Sequence, residues 1–245
     1  MPLNPLWPPA LLLLSLLAAP FAHGAGASGA ASGPKPAAAS PSHPDPADTL
    51  ATAVFAGGSF WCLEPVFEKL PGVDSAQAGY TGGQGPNPNF ESVSSGNSAY
   101  VEAVKVFYRP KRIKYAKLLD AYWRNIDPTR ADGQFSDAGA QFRTAIFFRD
   151  SSEQAQAEAS RKRLGKSKRF AKPVVTEISP LTVFYPAEAE HQDYYKKSAG
   201  RYMAYLKFSG REAFLKKAWG AKPAAKPGTD SAAGASAKTG SKPSP

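Results

Sequence analysis

The 245-residue chain predicts a mixed β-sheet covered by helices. Three observations carry that expectation. Short apolar runs alternate with segments whose apolar residues recur at helical spacing. Both ends are so poor in residues to bury that folding falls to residues 49–220, one domain of ordinary size with room for a full core. Between the first apolar run and the first helical pattern stands a pair of glycines, Gly57-Gly58. No internal repeat interrupts the order.

In chain order, Thr52–Ala56 reads as a short buried strand, and Phe60, Leu63, Phe67 and Leu70 mark a helix near Ser59–Lys69. Strands follow near Val73–Tyr80 and at Tyr100–Tyr108, with a helix at Lys114–Asn125. Phe142–Phe148 is a further strand and Ser152–Lys168 a long helix. Ser151 and Ser152 are candidates for its cap; Glu153 and Glu158 lie early and Arg161 to Arg169 late, as a helix dipole prefers. Strands at Val174–Ile178 and Val183–Tyr185 and a helix from Glu188 complete the pattern.

The ends have their own logic. Residues 1–27 read as a secretory leader: Leu11 to Ala19 is apolar, Pro20 ends it, and Ala22, Gly24, Ala25 and Ala27 offer small residues for cleavage. The run is too short for a bilayer span. No Lys or Arg precedes Lys35, so membrane tethering through an uncleaved leader stays open beside an exported, periplasmic location. Residues 28–48 are an Ala/Gly/Pro/Ser linker and 221–245 a Lys-rich tail of similar composition. Neither buries enough to offset the entropy of ordering, so both are expected to be flexible. The net charge of +10 excludes little, because spread-out lysines give it through solubility alone. The basic runs Arg109 to Lys117 and Arg161 to Arg169 read as solvated faces, and no nucleic-acid partner is expected.

The glycine pair is where chemistry concentrates. A strand-to-helix turn built on glycines lets backbone approach a ligand closely. Ser59 falls at the helix N-cap and Cys62 in the first turn, where free N–H groups and the positive dipole end favour an anion or a thiolate. That is the geometry of a nucleophile site.

Gly57-Gly58-Ser59-Phe60-Trp61-Cys62-Leu63-Glu64 resembles the signature of A-type peptide methionine sulfoxide reductases, Gly-Cys-Phe-Trp followed by Gly, Cys or Ser. Gly79-Tyr80-Thr81-Gly82-Gly83, Val101-Glu102-Ala103-Val104, Asn125-Ile126-Asp127-Pro128, Gly133-Gln134-Phe135, Phe184-Tyr185-Pro186-Ala187-Glu188 and His191-Gln192-Asp193-Tyr194 agree in family order, so the resemblance spans about residues 51 to 212. It implies a two-layer α+β fold, a mixed sheet with covering helices and irregular C-terminal segments. It also implies peptide-methionine (S)-S-oxide reductase chemistry on methionine sulfoxide, free or in exported proteins. No bound cofactor is implied, only an external thiol reductant, thioredoxin-like or a small thiol, and a monomer is expected.

By the resemblance Ser59 stands at the position of the nucleophilic cysteine. A thiolate attacks the sulfoxide sulfur and leaves a sulfenic acid; a serine hydroxyl is a poor substitute, and capping the helix accounts for Ser59 without catalysis. Phe60 and Trp61 match the wall that receives the substrate methyl. Glu102 matches the carboxyl that hydrogen-bonds the sulfoxide oxygen and supplies a proton, a role that needs a pKa raised by burial. Strand alternation sets it on the face opposite Val101 and Ala103, one acid in an apolar run. Asp137 matches a further acidic position. Phe90 and Phe142 stand where the family generally has tyrosines, keeping the ring and deleting a donor. Ser136 stands where a resolving cysteine would lie.

Cys62 is the chain's one cysteine, so no internal disulfide forms and the family's usual disulfide cycle cannot run. Cys62 lies one helical turn from Ser59, about 5 to 6 Å between Cβ atoms. Two readings of it stay open: a substitute nucleophile with a lowered pKa, or a buried apolar residue. His191 is the only histidine of the folded region, which leaves no His/Cys set for a metal; a structural hydrogen bond is the expected use.

Overall fold

The computed structural model describes residues 49–85 and 87–220. The leader, linker and tail expected at 1–27, 28–48 and 221–245 lie outside the described residues. The strands are β1 (Ala51–Ala56), β2 (Val73–Thr81), β3 (Val101–Tyr108), β4 (Gly133–Gln134), β5 (Asp137–Ala138), β6 (Ala145–Phe148), β7 (Glu177–Pro180) and β8 (Tyr185–Pro186). The helices are α1 (Phe60–Glu68), α2 (Phe90–Ser94), α3 (Tyr115–Trp123), α4 (Ser151–Lys166), α5 (Tyr194–Lys197), α6 (Ala199–Phe208) and α7 (Arg211–Trp219).

Six strands form one sheet in the order β7-β6-β1-β3-β2-β8, and β4 pairs with β5 as a separate hairpin. The β6–β7 pair is parallel and the other pairs are antiparallel, so the sheet is mixed, as the alternating pattern required. Its outermost strands contain Pro180 and Pro186, residues that cannot donate to a further strand and therefore suit an edge.

Strand alternation in β1 and β3 divides the core in two. Ala53, Phe55, Val104 and Val106 face Leu63 and Phe67 of α1 and Leu118, Leu119 and Tyr122 of α3. Phe55 is fully buried and stacks on Phe67 at 4.9 Å and on Tyr122 at 5.1 Å. Burying one such ring contributes about 2 to 3 kcal/mol. Val54, Ala56, Val101, Ala103, Ala145 and Phe147 point to the other face, where Leu181 and Phe184 of an irregular segment pack. Register then places Glu102 opposite Tyr80 of β2, on the helix-covered side beside Val104.

Several local expectations are corrected. The cap of α4 is Asp150, whose carboxylate accepts the Glu153 N–H at 2.9 Å, and not Ser151 or Ser152, which lie inside the helix. The strand expected from Phe142 begins at Ala145. Residues Ala140–Phe142 form a 3₁₀ turn after Gly139, whose φ of 125° suits glycine, and the Gln141 amide donates to the Ser94 carbonyl. The strand expected at Val174–Ile178 is shifted to Glu177–Pro180 because the Val175 N–H is drawn to the Pro128 carbonyl at 2.8 Å. β8 is only Tyr185–Pro186, and the helix expected from Glu188 starts at Tyr194, behind Asp193 in the left-handed region at φ 54°. The helices α2 and α7 and the β4–β5 hairpin were not legible in the periodicity.

Candidate active site

The turn from β1 into α1 needs both of its glycines. A Cβ on Gly57 would lie 2.6 Å from Ile126 Cγ2, and Gly58 has φ +81° with a Cβ position 2.8 Å from Gln134 Cβ. The Gly58 N–H donates to the Phe142 carbonyl at 3.1 Å, which fixes the turn against the loop that precedes β6. Helix α1 therefore starts at Phe60 with Ser59 at its cap position.

Ser59 does not cap the helix with its side chain, contrary to the capping expectation. A separate orphan donor of the first turn, the Phe60 N–H, finds a tertiary partner: it donates to Glu102 Oε2 at 2.9 Å, across 42 residues of sequence. The Ser59 hydroxyl instead interacts with the Glu102 carboxyl and the Tyr205 phenol. Glu102 is 2% exposed, and burial pushes its carboxyl up to about 8. The negative charge of Asp137 pushes the same way, while the Phe60 N–H and the Ser59 hydroxyl oppose it. Near neutral pH the carboxyl is mostly protonated and is a hydrogen-bond donor inside an apolar wall.

A cavity of about 110 Å³ opens in front of these groups, lined by Ser59, Trp61, Phe90, Ser94, Glu102, Asp137, Phe142 and Tyr205. That volume is the share of about three to four waters, enough for the end of a side chain and not for a cofactor. A larger hollow of about 300 Å³ lies between α3 and α4, but its lining offers one charged side chain, Arg163, and nothing for it to act with. The small cavity is where the polar groups converge. Trp61 stacks on Tyr194 at 3.9 Å, and Phe90 packs tilted against His191 at 4.2 Å, so the two aromatic walls are held from behind. Burial pulls the His191 imidazole below its ordinary pKa. Its Nδ1 has no partner among the described residues, so the structural hydrogen bond expected of it is not found there.

The other expected residues separate. Phe60 is fully buried against Tyr80, Phe90 and His191 and does not line the cavity; it supports the wall from beneath. Asp137 does line it, accepting the Tyr205 hydroxyl at 2.5 Å. Ser136 is exposed in the turn between β4 and β5, outside the lining. Cys62 is 3% exposed and also outside the lining. Its thiol shows the reverse of the lowering expected at a helix start: burial pushes it up to about 11. Asp137 and Glu102 add to that rise, against the Arg211 guanidinium beside it.

Two lining residues escaped the sequence reading. Ser94 lies in a five-residue helix that shows no periodicity, and Tyr205 reaches Asp137 across 68 residues. A run of tyrosines in the C-terminal region was the available signal for Tyr205, and it named no partner.

An aromatic slot with a buried, mostly protonated carboxyl at its end has room for a small group that is apolar along its sides and carries a hydrogen-bond acceptor. The sequence profile described as "Peptide methionine sulfoxide reductase" matches residues 51–223, and the chain belongs to that family. The chain is 48% identical over 171 residues to the peptide methionine sulfoxide reductase MsrA of Halalkalibacterium halodurans, covering 70% of this chain and 97% of that protein. It is 44% identical over 170 residues to the MsrA of Bacillus subtilis, covering 69% of this chain and 96% of the relative. Among solved structures, methionine sulfoxide reductase A of Corynebacterium diphtheriae superposes with a TM-score of 0.58 at 30% identity, over 64% of this chain and 77% of that one. Reduced Mxr1 from Saccharomyces cerevisiae gives 0.58 at 26% identity, over 63% and 88%.

Proposed function

We propose that this chain recognises methionine-S-sulfoxide in exported proteins and does not itself complete the reduction, because Ser59 stands at the attacking position. One observation carries the reading: among the described residues no thiol lines the cavity, while the carboxyl suited to the sulfoxide oxygen does. The methyl and sulfur would lie between Trp61, Phe90 and Phe142, where sulfur–aromatic contact contributes about 0.3 to 1.5 kcal/mol. The protonated Glu102 would donate to the sulfoxide oxygen. Phe90 and Phe142 offer that oxygen no hydroxyl, and Tyr205 already donates its own to Asp137, which leaves Glu102 and the Ser59 and Ser94 hydroxyls as donors in the lining.

Attack on sulfur needs a polarisable anion, and Ser59 has no base strong enough to make one from its hydroxyl while Glu102 is neutral. With a single cysteine there is also no pair of thiols for a thioredoxin-like reductant to restore. The export reading rests on the apolar run Leu11 to Ala19 followed by small residues. The Arg211 guanidinium beside Cys62 favours a second reading, in which Cys62 attacks as a thiolate and a small external thiol regenerates it.

Titration calorimetry with the separated S and R sulfoxides of a blocked methionine tests the reading. Saturable binding of the S form, at least tenfold weaker for the R form and weakened about tenfold by Trp61→Ala, is the expected result. Equal binding of both forms, or none, overturns it. Stereospecific turnover with dithiothreitol that Cys62→Ala abolishes supports the second reading instead.

A further inference from the structure

Behind the cavity, helix α1 meets residues 193–196 at a group of three carboxyls that the sulfoxide chemistry does not use. Glu64 is fully buried, its Oε2 accepts the Asp193 N–H at 3.0 Å, and its Oε1 has no partner among the described residues. One oxygen each from Glu64, Glu68 and Asp193 lies within 4.8 Å of the others. Lys196 shares its ammonium between Glu68 Oε2 at 2.8 Å and Asp193 Oδ1 at 2.7 Å, and Tyr195 donates its hydroxyl to Glu68 at 2.5 Å. The lysine thus serves two of the three acids and no bond from it reaches Glu64. Burial, with the charges of Asp193 and Glu68 added, pushes the Glu64 carboxyl up to about 7. A buried carboxyl with one bare oxygen calls for a cation or a donor that the described side chains do not supply.

We propose that Glu64, Glu68 and Asp193 bind a hard divalent cation, which displaces the Lys196 ammonium. The donor set is all oxygen and anionic, without thiolate or imidazole, which selects Ca²⁺, Mg²⁺ or Mn²⁺ over softer metals; waters complete the coordination. Lys196 is 54% exposed along its side chain, so its ammonium has a route to solvent when a divalent cation takes the two acids that hold it. The cation would fasten α1 to the segment whose Tyr194 stacks on Trp61, bracing one wall of the sulfoxide cavity from outside it.

Thermal melting of the full chain tests this in EDTA and then in CaCl₂, MgCl₂ or MnCl₂, with NaCl controls at matched ionic strength. The expected result is a rise in midpoint of about 5 to 10 °C for at least one divalent cation at a hundred times its Kd. Lys196→Ala, which removes the tethered competitor, should bind that cation about five- to tenfold more tightly. Glu64→Gln should lose the response, and Glu68→Gln supplies the same test at a less buried ligand. No rise beyond the NaCl control in either the native chain or Lys196→Ala overturns the site. So does a full rise retained in Glu64→Gln and Glu68→Gln, and binding by Lys196→Ala no tighter than native overturns the displacement.

Discussion

Replacing Glu102 by glutamine keeps the shape of the side chain and an oxygen for the Phe60 N–H, while removing the titration. In the native chain this carboxyl has an ordinary value of 4.5 and is raised to about 8 by burial. The sign follows from that direction. Below pH 4.5 both folded and unfolded chains hold the proton and the group is neutral to stability. As pH rises from about 4.5 to 8 the unfolded chain releases the proton and the folded chain keeps it, so stability falls, and the fall is complete once the folded state also ionises. Fully developed, the loss is about 4 to 5 kcal/mol, with about 3 kcal/mol already present at pH 7. Urea unfolding of native chain and Glu102→Gln at pH 5, 7 and 9 measures it. The stability of Glu102→Gln relative to native should grow by roughly 3 to 4 kcal/mol from pH 5 to pH 9. Taking the difference between the two proteins cancels the other groups that titrate in this range, Glu64 among them. Two parallel profiles would refute the buried, protonated carboxyl and with it the donor assigned to the sulfoxide oxygen.

Other consequences are more local. Phe55→Ala removes a fully buried ring from between Phe67 and Tyr122 and should cost about 3 to 5 kcal/mol in the same unfolding assay. Gly58→Ala should cost about 1 to 3 kcal/mol, because the residue sits at φ +81° with its Cβ position 2.8 Å from Gln134 Cβ. Tyr205→Phe deletes the hydroxyl that bonds Asp137 at 2.5 Å and reaches Ser59. It should weaken binding of the S sulfoxide about tenfold by calorimetry.

The parts of this molecule that could be read from the chain are those whose cause is local. The apolar run of β1, the glycine pair and the helical spacing of Phe60, Leu63 and Phe67 lie within 17 residues of each other, and the structure builds them as read. The face of Glu102 was legible for a similar reason: a period of two needs only its neighbours Val101 and Ala103. What was misread depends on distant partners. Ser59 looked like a helix cap, but its hydroxyl turns to the Glu102 carboxyl and the Tyr205 phenol, both distant in sequence. Cys62 was open between two readings, because the dipole at a helix start is visible in sequence whereas the burial that decides for the apolar one comes from tertiary packing. The C-terminal segment eluded periodicity because Asp193 breaks it with a left-handed residue and because β8 is two residues long. Tyr205 joined the cavity only through the fold of α6 back onto Asp137.

The central claim is that the cavity is intact and that the missing component is one sulfur atom at position 59. Reduction of a blocked methionine-S-sulfoxide by dithiothreitol, compared between the native chain and Ser59→Cys under single- and multiple-turnover conditions, tests it most directly. The account predicts no product from the native chain, and S-specific product from Ser59→Cys at a rate at least a hundredfold above the native background. Equal rates for the two proteins, whether both active or both silent, would contradict it.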